Sequence, residues 1–174
     1  MAQLFMRRPT LAGLPPLASL PPGYARREAN VADAAAIAAV LSSAFGEEWM
    51  EERVRAVLLA APDVVATFVI TAGEAPVATA AARLLPEIYP GSGYLHWVGV
   101  HTAHRGMHFG GAVSLAVLHR FRDLGCRDAV LETDPFRLPA LRTYLRLGFL
   151  PEPVAPEHEQ VWRETLAKLG RPET

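Results

Sequence analysis

The chain has 174 residues, 51% of them apolar, with 17 basic and 18 acidic side chains and a formal charge of −1. That length suits one domain with a proper core, and the near-zero charge argues against a nucleic-acid coat or a polybasic membrane binder, which need clustered cations. Cys126 is the single cysteine, so no internal disulfide can form and nothing points to an oxidising compartment.

Arg7-Arg8 is followed by Pro9, Pro15, Pro16, Pro21 and Pro22, which leaves no apolar core for a signal peptide. No run approaches the roughly 18 apolar residues of a membrane span. The expectation is a soluble cytoplasmic protein with neither nucleic-acid nor membrane partners. Residues 1–23, rich in Pro and Leu, are expected to form an extended arm over the surface. Residues 24–150 are read as the functional core, and 151–174 as a C-terminal segment packed on the same domain.

Tyr24–Ala29 reads as a short strand, and Asn30 with Asp33 as an N-cap pair opening an alanine-rich helix to about Ala44. A second helix is expected over Glu47–Ala60, stopped by Pro62. Val64–Thr71 and Pro76–Leu84 are β-rich runs joined at Ala72-Gly73-Glu74 as a hairpin. Pro86, Pro90, Gly91 and Gly93 mark an irregular loop before a strand at Tyr94–Val100. Gly110–Leu124 carries Val113, Val117, Phe121 and Leu124 at helical spacing, with Gly125 as its stop. Arg127–Thr133 is a buried strand. A helix runs from Arg137 to Gly148, Phe149-Leu150 is extended, and Glu157–Leu169 is helical. The fold class is α/β (α+β mixed): a central mixed sheet with helices on both faces.

The turn Arg105-Gly106-Met107-His108-Phe109-Gly110-Gly111 lies between a strand and a helix. The first N–H groups of that helix are unpaired, its dipole attracts anions, and glycines let backbone approach a ligand closely. A tight structural turn uses the same residues, so the turn alone leaves both readings open. His101, His104 and His108 invite a metal reading, but glycines interrupt any helix there and no carboxylate or cysteine completes a set, so no metal is expected.

The wider pattern decides more. Val98-Gly99-Val100, Arg-Gly-x-x-Phe-Gly, a helix ending in Gly, Val-Leu-Glu-Thr and Ala140-x-x-x-Tyr144-x-x-x-Gly148-Phe149 occur in order. This resembles the GCN5-related N-acetyltransferase (GNAT) superfamily over roughly residues 24–150, with its mostly antiparallel central sheet. The family's phosphate motif is (Gln/Arg)-x-x-Gly-x-(Gly/Ala): Arg105 and Gly110 match its ends, and His108 stands at the central glycine. Arg137 occupies a position where an Asn often contacts the cofactor, and the usual final strand is not evident.

The resemblance implies acetyl-CoA as co-substrate, between the strands at Tyr94–Val100 and Arg127–Thr133. Backbone groups of Val98 and Val100 would hold the pantetheine, with Gly99 at a strand bulge or a close packing contact. Amides of Arg105, Gly106, Met107, His108, Phe109, Gly110 and Gly111 would hold the pyrophosphate. Tyr144 occupies the family's place for the acid that protonates the departing thiolate; a phenol of pKa about 10 is protonated at neutral pH. His96 alternates with Val98 and Val100, which predicts that it points to the same side, and its imidazole is a candidate base. The strand is similar to that of the serotonin N-acetyltransferases, where the corresponding histidine takes part in proton removal. Glu132 and Glu87 are further candidates. Glu47, Glu48, Glu51 and Glu52 around Trp49 would attract a cationic amine or favour a helix start.

The activity implied is acetyl transfer to a primary amine of a small molecule or peptide by direct attack, in a monomer or homodimer. The other reading is a degenerate, non-catalytic CoA- or partner-binding protein, motivated by His108 and Arg137.

Overall fold

The computed structural model describes residues 3–170. Seven strands form one open sheet: β1 (Leu4–Arg8), β2 (Tyr24–Glu28), β3 (Val64–Ala72), β4 (Ala75–Arg83), β5 (Ser92–Val100), β6 (Asp128–Thr133) and β7 (Leu150–Pro151). Their spatial order is β2-β3-β4-β5-β6-β1-β7. Only β5 and β6 pair in parallel; the other neighbours are antiparallel.

The helices cover both faces. On one lie α1 (Ala34–Phe45) and the short α2 (Glu51–Val54), which continues as a wide π-type turn at Arg55–Leu59. On the other lie α3 (Phe109–Asp123), α4 (Leu138–Arg146) and α5 (Pro156–Lys168). Val113, Val117, Leu118 and Phe121 of α3, with Leu141 of α4 and Trp162 of α5, pack on Leu4, Met6, Ala80, Leu95 and Leu131. Ile37 and Leu41 of α1, with Trp49 and Leu58, pack on Val69 and Ala81 on the opposite face. No helix among the described residues is long and apolar enough to cross a membrane.

The local signals work where they are purely local. Asn30 Oδ1 accepts from Ala32 N at 2.9 Å, and Asn30 N donates to Asp33 Oδ2 at 2.8 Å, closing the expected capping box. Asp33 is also held by two 2.7 Å bonds from Arg27, which keep its carboxyl below the usual range. The second helix is shorter than expected, because Glu47 and Glu48 belong to the α1–α2 loop and the helix starts at Glu51.

Two sequence expectations are corrected. The first residues are not an arm over the surface: Leu4–Arg8 is a strand inserted between β6 and β7. Leu4 and Met6, one period-2 step apart, are fully buried, and that burial repays the ordering of the chain terminus. The Pro-rich stretch 9–23 is non-strand; its Leu14 and Leu20 pack with the α3 cluster, and it leads to β2 at the sheet edge. Gly93, read as loop, lies inside β5, paired with Ala129; its lack of a side chain makes room for the Phe121 ring, which a Cβ would overlap.

Candidate active site

β5 and β6 pair only at Ser92–Tyr94 with Asp128–Val130 and then diverge. The divergence opens a cleft of about 690 Å³, within the range of small-molecule sites. Its floor is Val98, Gly99 and Val100; one wall is Arg105, Gly106, His108, Phe109, Gly110 and Gly111; the other is α4, including Tyr144, with Arg137 just before it. Of the residues assigned to the cofactor from sequence, only Met107 is absent from this lining; it borders a neighbouring cleft.

The wall at the start of α3 has the chemistry of an anion cradle. His108, the N-cap residue, makes no side-chain capping bond, and the first i→i−4 bond of the turn is Ala112 N to His108 O at 3.1 Å. The N–H groups of Phe109, Gly110 and Gly111 therefore have no acceptor within the helix. A Cβ on Gly110 would stand 3.6 Å from Val100 and one on Gly111 3.5 Å from Thr143, ordinary contacts. The protein itself has no packing need for these two glycines, and their openness exposes backbone to the cleft. Gly106 at φ +83° and His108 at φ +60° both lie in the left-handed region. Glycine enters that region freely while histidine is strained there.

On the facing wall Tyr144 is buried, with its ring edge-on to Phe149 at 6.1 Å. Burial pushes its phenol up to about 12, against a smaller opposite pull from Arg137. The hydroxyl therefore carries its proton throughout the neutral range. Arg137 bonds Asp134 Oδ2 at 3.0 Å and lies over the Phe45 ring at 4.4 Å. It thus ties the start of α4 to the end of α1 across the cleft.

His96 is not where the alternation predicts. Ala81 pairs with His96 and Thr79 with Gly99, so Ala80 alone faces both Trp97 and Val98. This is a β-bulge, with Trp97 at φ +49°. Past it the alternation shifts by one residue. Val98 and Val100 pack with the α3 cluster, whereas Trp97 packs with the α1–α2 cluster, and so does Ala81, the cross-strand partner of His96. His96 therefore lies on the face opposite Val98 and Val100 and does not line the cleft. Half-buried between the rings of Tyr94 and Trp97, it is pulled down to about 4 by burial and then by the Arg83 charge, against a smaller opposite effect from Asp63. The bulge also corrects Gly99: a Cβ there would press on Leu41 and Ala44 of α1 at 3.1 and 3.3 Å, so this glycine permits helix packing.

The remaining candidates scatter. Glu132 is exposed and accepts from the Tyr89 hydroxyl at 2.7 Å; Glu87 is exposed in the β4–β5 loop. His101 Nδ1 accepts from Ala103 N at 3.2 Å, and His104 Nδ1 bonds the Tyr24 hydroxyl at 3.1 Å. Around Trp49 the aromatic surface already carries a cation, since the Arg53 guanidinium lies 3.7 Å over its ring and pairs with Glu47. Glu51 pairs with Arg55. Phe45, Phe136, Arg142, Thr143 and Arg146 also line the cleft and escape the sequence reading. For Arg142 and Arg146, i,i+4 spacing on α4 is the available signal.

A mixed sheet that splays over a glycine-bearing helix start, with a protonated tyrosine opposite, defines the acetyltransferase class. The chain belongs to the acetyltransferase (GNAT) family, whose description matches residues 34–149. Among solved structures it is similar to a GCN5-related N-acetyltransferase from Sphaerobacter thermophilus, with TM-score 0.66 and 23% identity over 86% of this chain and 48% of that one. It is similar to another from Kribbella flavida, with TM-score 0.60 and 22% identity over 86% of this chain and 55% of that one. The ribosomal-protein-S18-alanine N-acetyltransferase of Escherichia coli matches with TM-score 0.64 and 16% identity, over 75% of this chain and 79% of that one. At these identities the likeness is one of fold. The chain spans about half the length of the first two structures. No curated protein matches it by sequence.

Proposed function

We propose that the protein is an acetyl-CoA-dependent N-acetyltransferase that acts on a primary amine of a small molecule or peptide by direct attack. The observation that carries this reading is the convergence on one cleft of the uncapped, glycine-bearing start of α3 and the protonated Tyr144. Acetyl-CoA supplies an activated acetyl thioester. The amides of Phe109, Gly110 and Gly111 bind its pyrophosphate, with Arg105 beside them. Backbone groups of Val98 and Val100, freed from β6 by the splay, hold the pantetheine.

The amine nitrogen forms a bond to the carbonyl carbon as the carbon–sulfur bond breaks, so one proton leaves nitrogen and one reaches sulfur. Tyr144 donates the second, and its raised pKa keeps it loaded. His96 is the proposed acceptor of the first, from the α1–α2 face. Burial lowers its basicity, so it is uncharged at neutral pH. Glu132, on the neighbouring strand, is the alternative.

Thiol release from acetyl-CoA across a panel of amines, amino acids and peptides tests the reading. Release with at least one acceptor, lost in Tyr144→Phe, supports it. A second reading, CoA binding without turnover, is favoured by the His108 Cβ in the cradle and by Arg137 being engaged with Asp134 and Phe45. Saturable CoA binding with no release for any acceptor would establish that second reading.

A further inference from the structure

Arg137 stands just before α4, and Tyr144 follows it at i+7, two helical turns further on. Both line the main cleft. Side chains of a helix lean back towards its N-terminus, so the Tyr144 ring is inclined from its own Cα towards Arg137. The guanidinium has a fixed place. Its Nε donates to Asp134 Oδ2 at 3.0 Å, and its central carbon lies 4.4 Å from the centre of the Phe45 ring and 5.7 Å from that of Phe136. A carboxylate and two aromatic rings thus hold one positive charge in the lining of the cleft.

Tyr144 has the opposite surroundings. Its ring is buried in the core cluster that includes Leu141 and Phe149. An apolar wall favours the neutral phenol over the phenolate. That is a handicap for an acid that must give up its proton. A phenol at about 12 faces a thiol whose ordinary pKa is about 8.5, so the transfer runs uphill. A neighbouring cation lessens the cost, and the Arg137 charge pulls the phenol downward against the larger effect of burial. The other cations of the cleft, Arg105, Arg142 and Arg146, exert no comparable pull, nor do His104 and His108. The same holds for Arg8, whose guanidinium donates to the Leu147 carbonyl just beyond α4.

We propose that Arg137 acts through Tyr144: its fixed guanidinium stabilises the phenolate left when the tyrosine proton passes to the departing sulfur. The inference rests on the acetyl-transfer reading above and adds a positioning residue to it. The nitrogen lone pair makes the N–C bond, the C–S bond breaks with its electron pair on sulfur, and the Tyr144 proton goes to that sulfur. The proton released by the amine restores the phenol through solvent. Arg137 supplies a charge and moves no proton, while Asp134, Phe45 and Phe136 fix where that charge stands.

Two variants test this. Arg137→Gln removes the charge, and Arg137→Lys keeps it while losing the planar fork; both are checked by thermal melting. In thiol release at saturating acetyl-CoA, Arg137→Gln should lower kcat by about tenfold and Arg137→Lys by less. Calorimetry should show CoA affinity within about twofold of wild type for both. Weakened CoA affinity with kcat unchanged would overturn the proposal, because Arg137 would then be a direct cofactor contact.

A second measurement needs no turnover. With 3-fluorotyrosine in place of tyrosine, so that the phenols ionise at lower pH, the Tyr144 phenolate is read by absorbance as the difference between the protein and its Tyr144→Phe variant. Arg137→Gln should delay the appearance of that phenolate to a pH higher by about one, and Arg137→Lys by less. An unchanged onset in a folded Arg137→Gln protein would overturn the proposal. If no acceptor gives thiol release, the acetyl-transfer reading fails, and this titration alone decides whether Arg137 stabilises the Tyr144 phenolate.

Discussion

The two halves of β5, divided by Trp97, do different work. Before Trp97 the strand is sheet: Ser92–Tyr94 pairs with β6, Leu95 packs under α3, and Gly93 lets the Phe121 ring lie against the backbone. After it the strand lines the cleft, with Val98 and Val100 in its floor and Gly99 accommodating α1. One inserted residue separates the two, and it turns His96 away from the cleft. Tyr144 and the uncapped start of α3 therefore share one side of the sheet, while the half-buried imidazole of His96 sits on the other. A bulge is a means of re-aiming side chains, and here it gives two faces of one strand to two sides of the proposed reaction.

The contrast fails most visibly if the cleft side has no catalytic group. Tyr144→Phe deletes only the hydroxyl from a buried ring, and loss of a general acid costs roughly a hundredfold or more in rate. Thiol release should fall by that amount with CoA affinity unchanged by calorimetry. Normal turnover would leave the cleft as a binding site and nothing more.

On the other face the pH dependence of stability is the sharper probe. His96 titrates near 4 when folded, below its ordinary value of 6.5. The unfolded chain therefore binds the proton more readily, and stability falls as pH drops from 6.5 to 4. The loss amounts to at most about 3–4 kcal/mol, because each pH step of one between those two values removes about 1.4 kcal/mol. Denaturant titrations at several pH values should show this slope in the wild type and a flatter one in His96→Phe. Identical slopes would mean that the imidazole is solvated and not buried against Tyr94 and Trp97.

The two glycines of β5 separate its halves by packing. Gly93→Ala drives a methyl group into the rigid Phe121 ring, and overpacking of this kind costs about 1–3 kcal/mol. Gly99→Ala presses on the tip of Leu41 and the methyl of Ala44 at 3.1 and 3.3 Å. These can yield by a few tenths of an ångström, so a cost below about 1 kcal/mol is expected. A larger loss of melting temperature for Gly99→Ala would reverse the assignment of sheet and cleft halves.

What the sequence can reveal follows from which forces are local. The Asn30–Asp33 box and the stop at Gly125 are set within one turn of chain, and both are readable. The turn from Arg105 to Gly111 and the spacing to Tyr144 are readable because glycines stand at fixed offsets from a strand end, and the structure brings both to one cleft. The bulge is not. Trp97 is neither Gly nor Asn, and in the left-handed region its ring packs with Phe45 and Trp49, at 5.9 and 4.5 Å, contacts between elements far apart in sequence. β1 is hidden because its five residues precede a Pro-rich stretch whose composition suggests no structure, although Leu4 and Met6 carry the strand period. The neighbouring cleft bordered by Met107 joins residues 18–21 and 26 to Arg146, a contact set by topology and invisible to any window of sequence.

The smallest effect concerns the residue where this chain departs from the family's glycine. His108 holds φ +60°, ψ +19°, makes no capping bond and leaves its side chain exposed, so its replacement forfeits no contact that helps the fold. A left-handed conformation costs a non-glycine residue about 1–2 kcal/mol. Glycine returns about 0.5–1 kcal/mol of that through the greater freedom of the unfolded chain. His108→Gly should therefore gain about 0.5–1 kcal/mol, or roughly 1–4 °C in melting temperature. It also takes a Cβ out of the cradle, so acetyl-CoA affinity should hold or improve in calorimetry. A more stable variant that no longer binds would show that the imidazole itself contacts a phosphate, making His108 a side-chain ligand where glycine would offer only backbone.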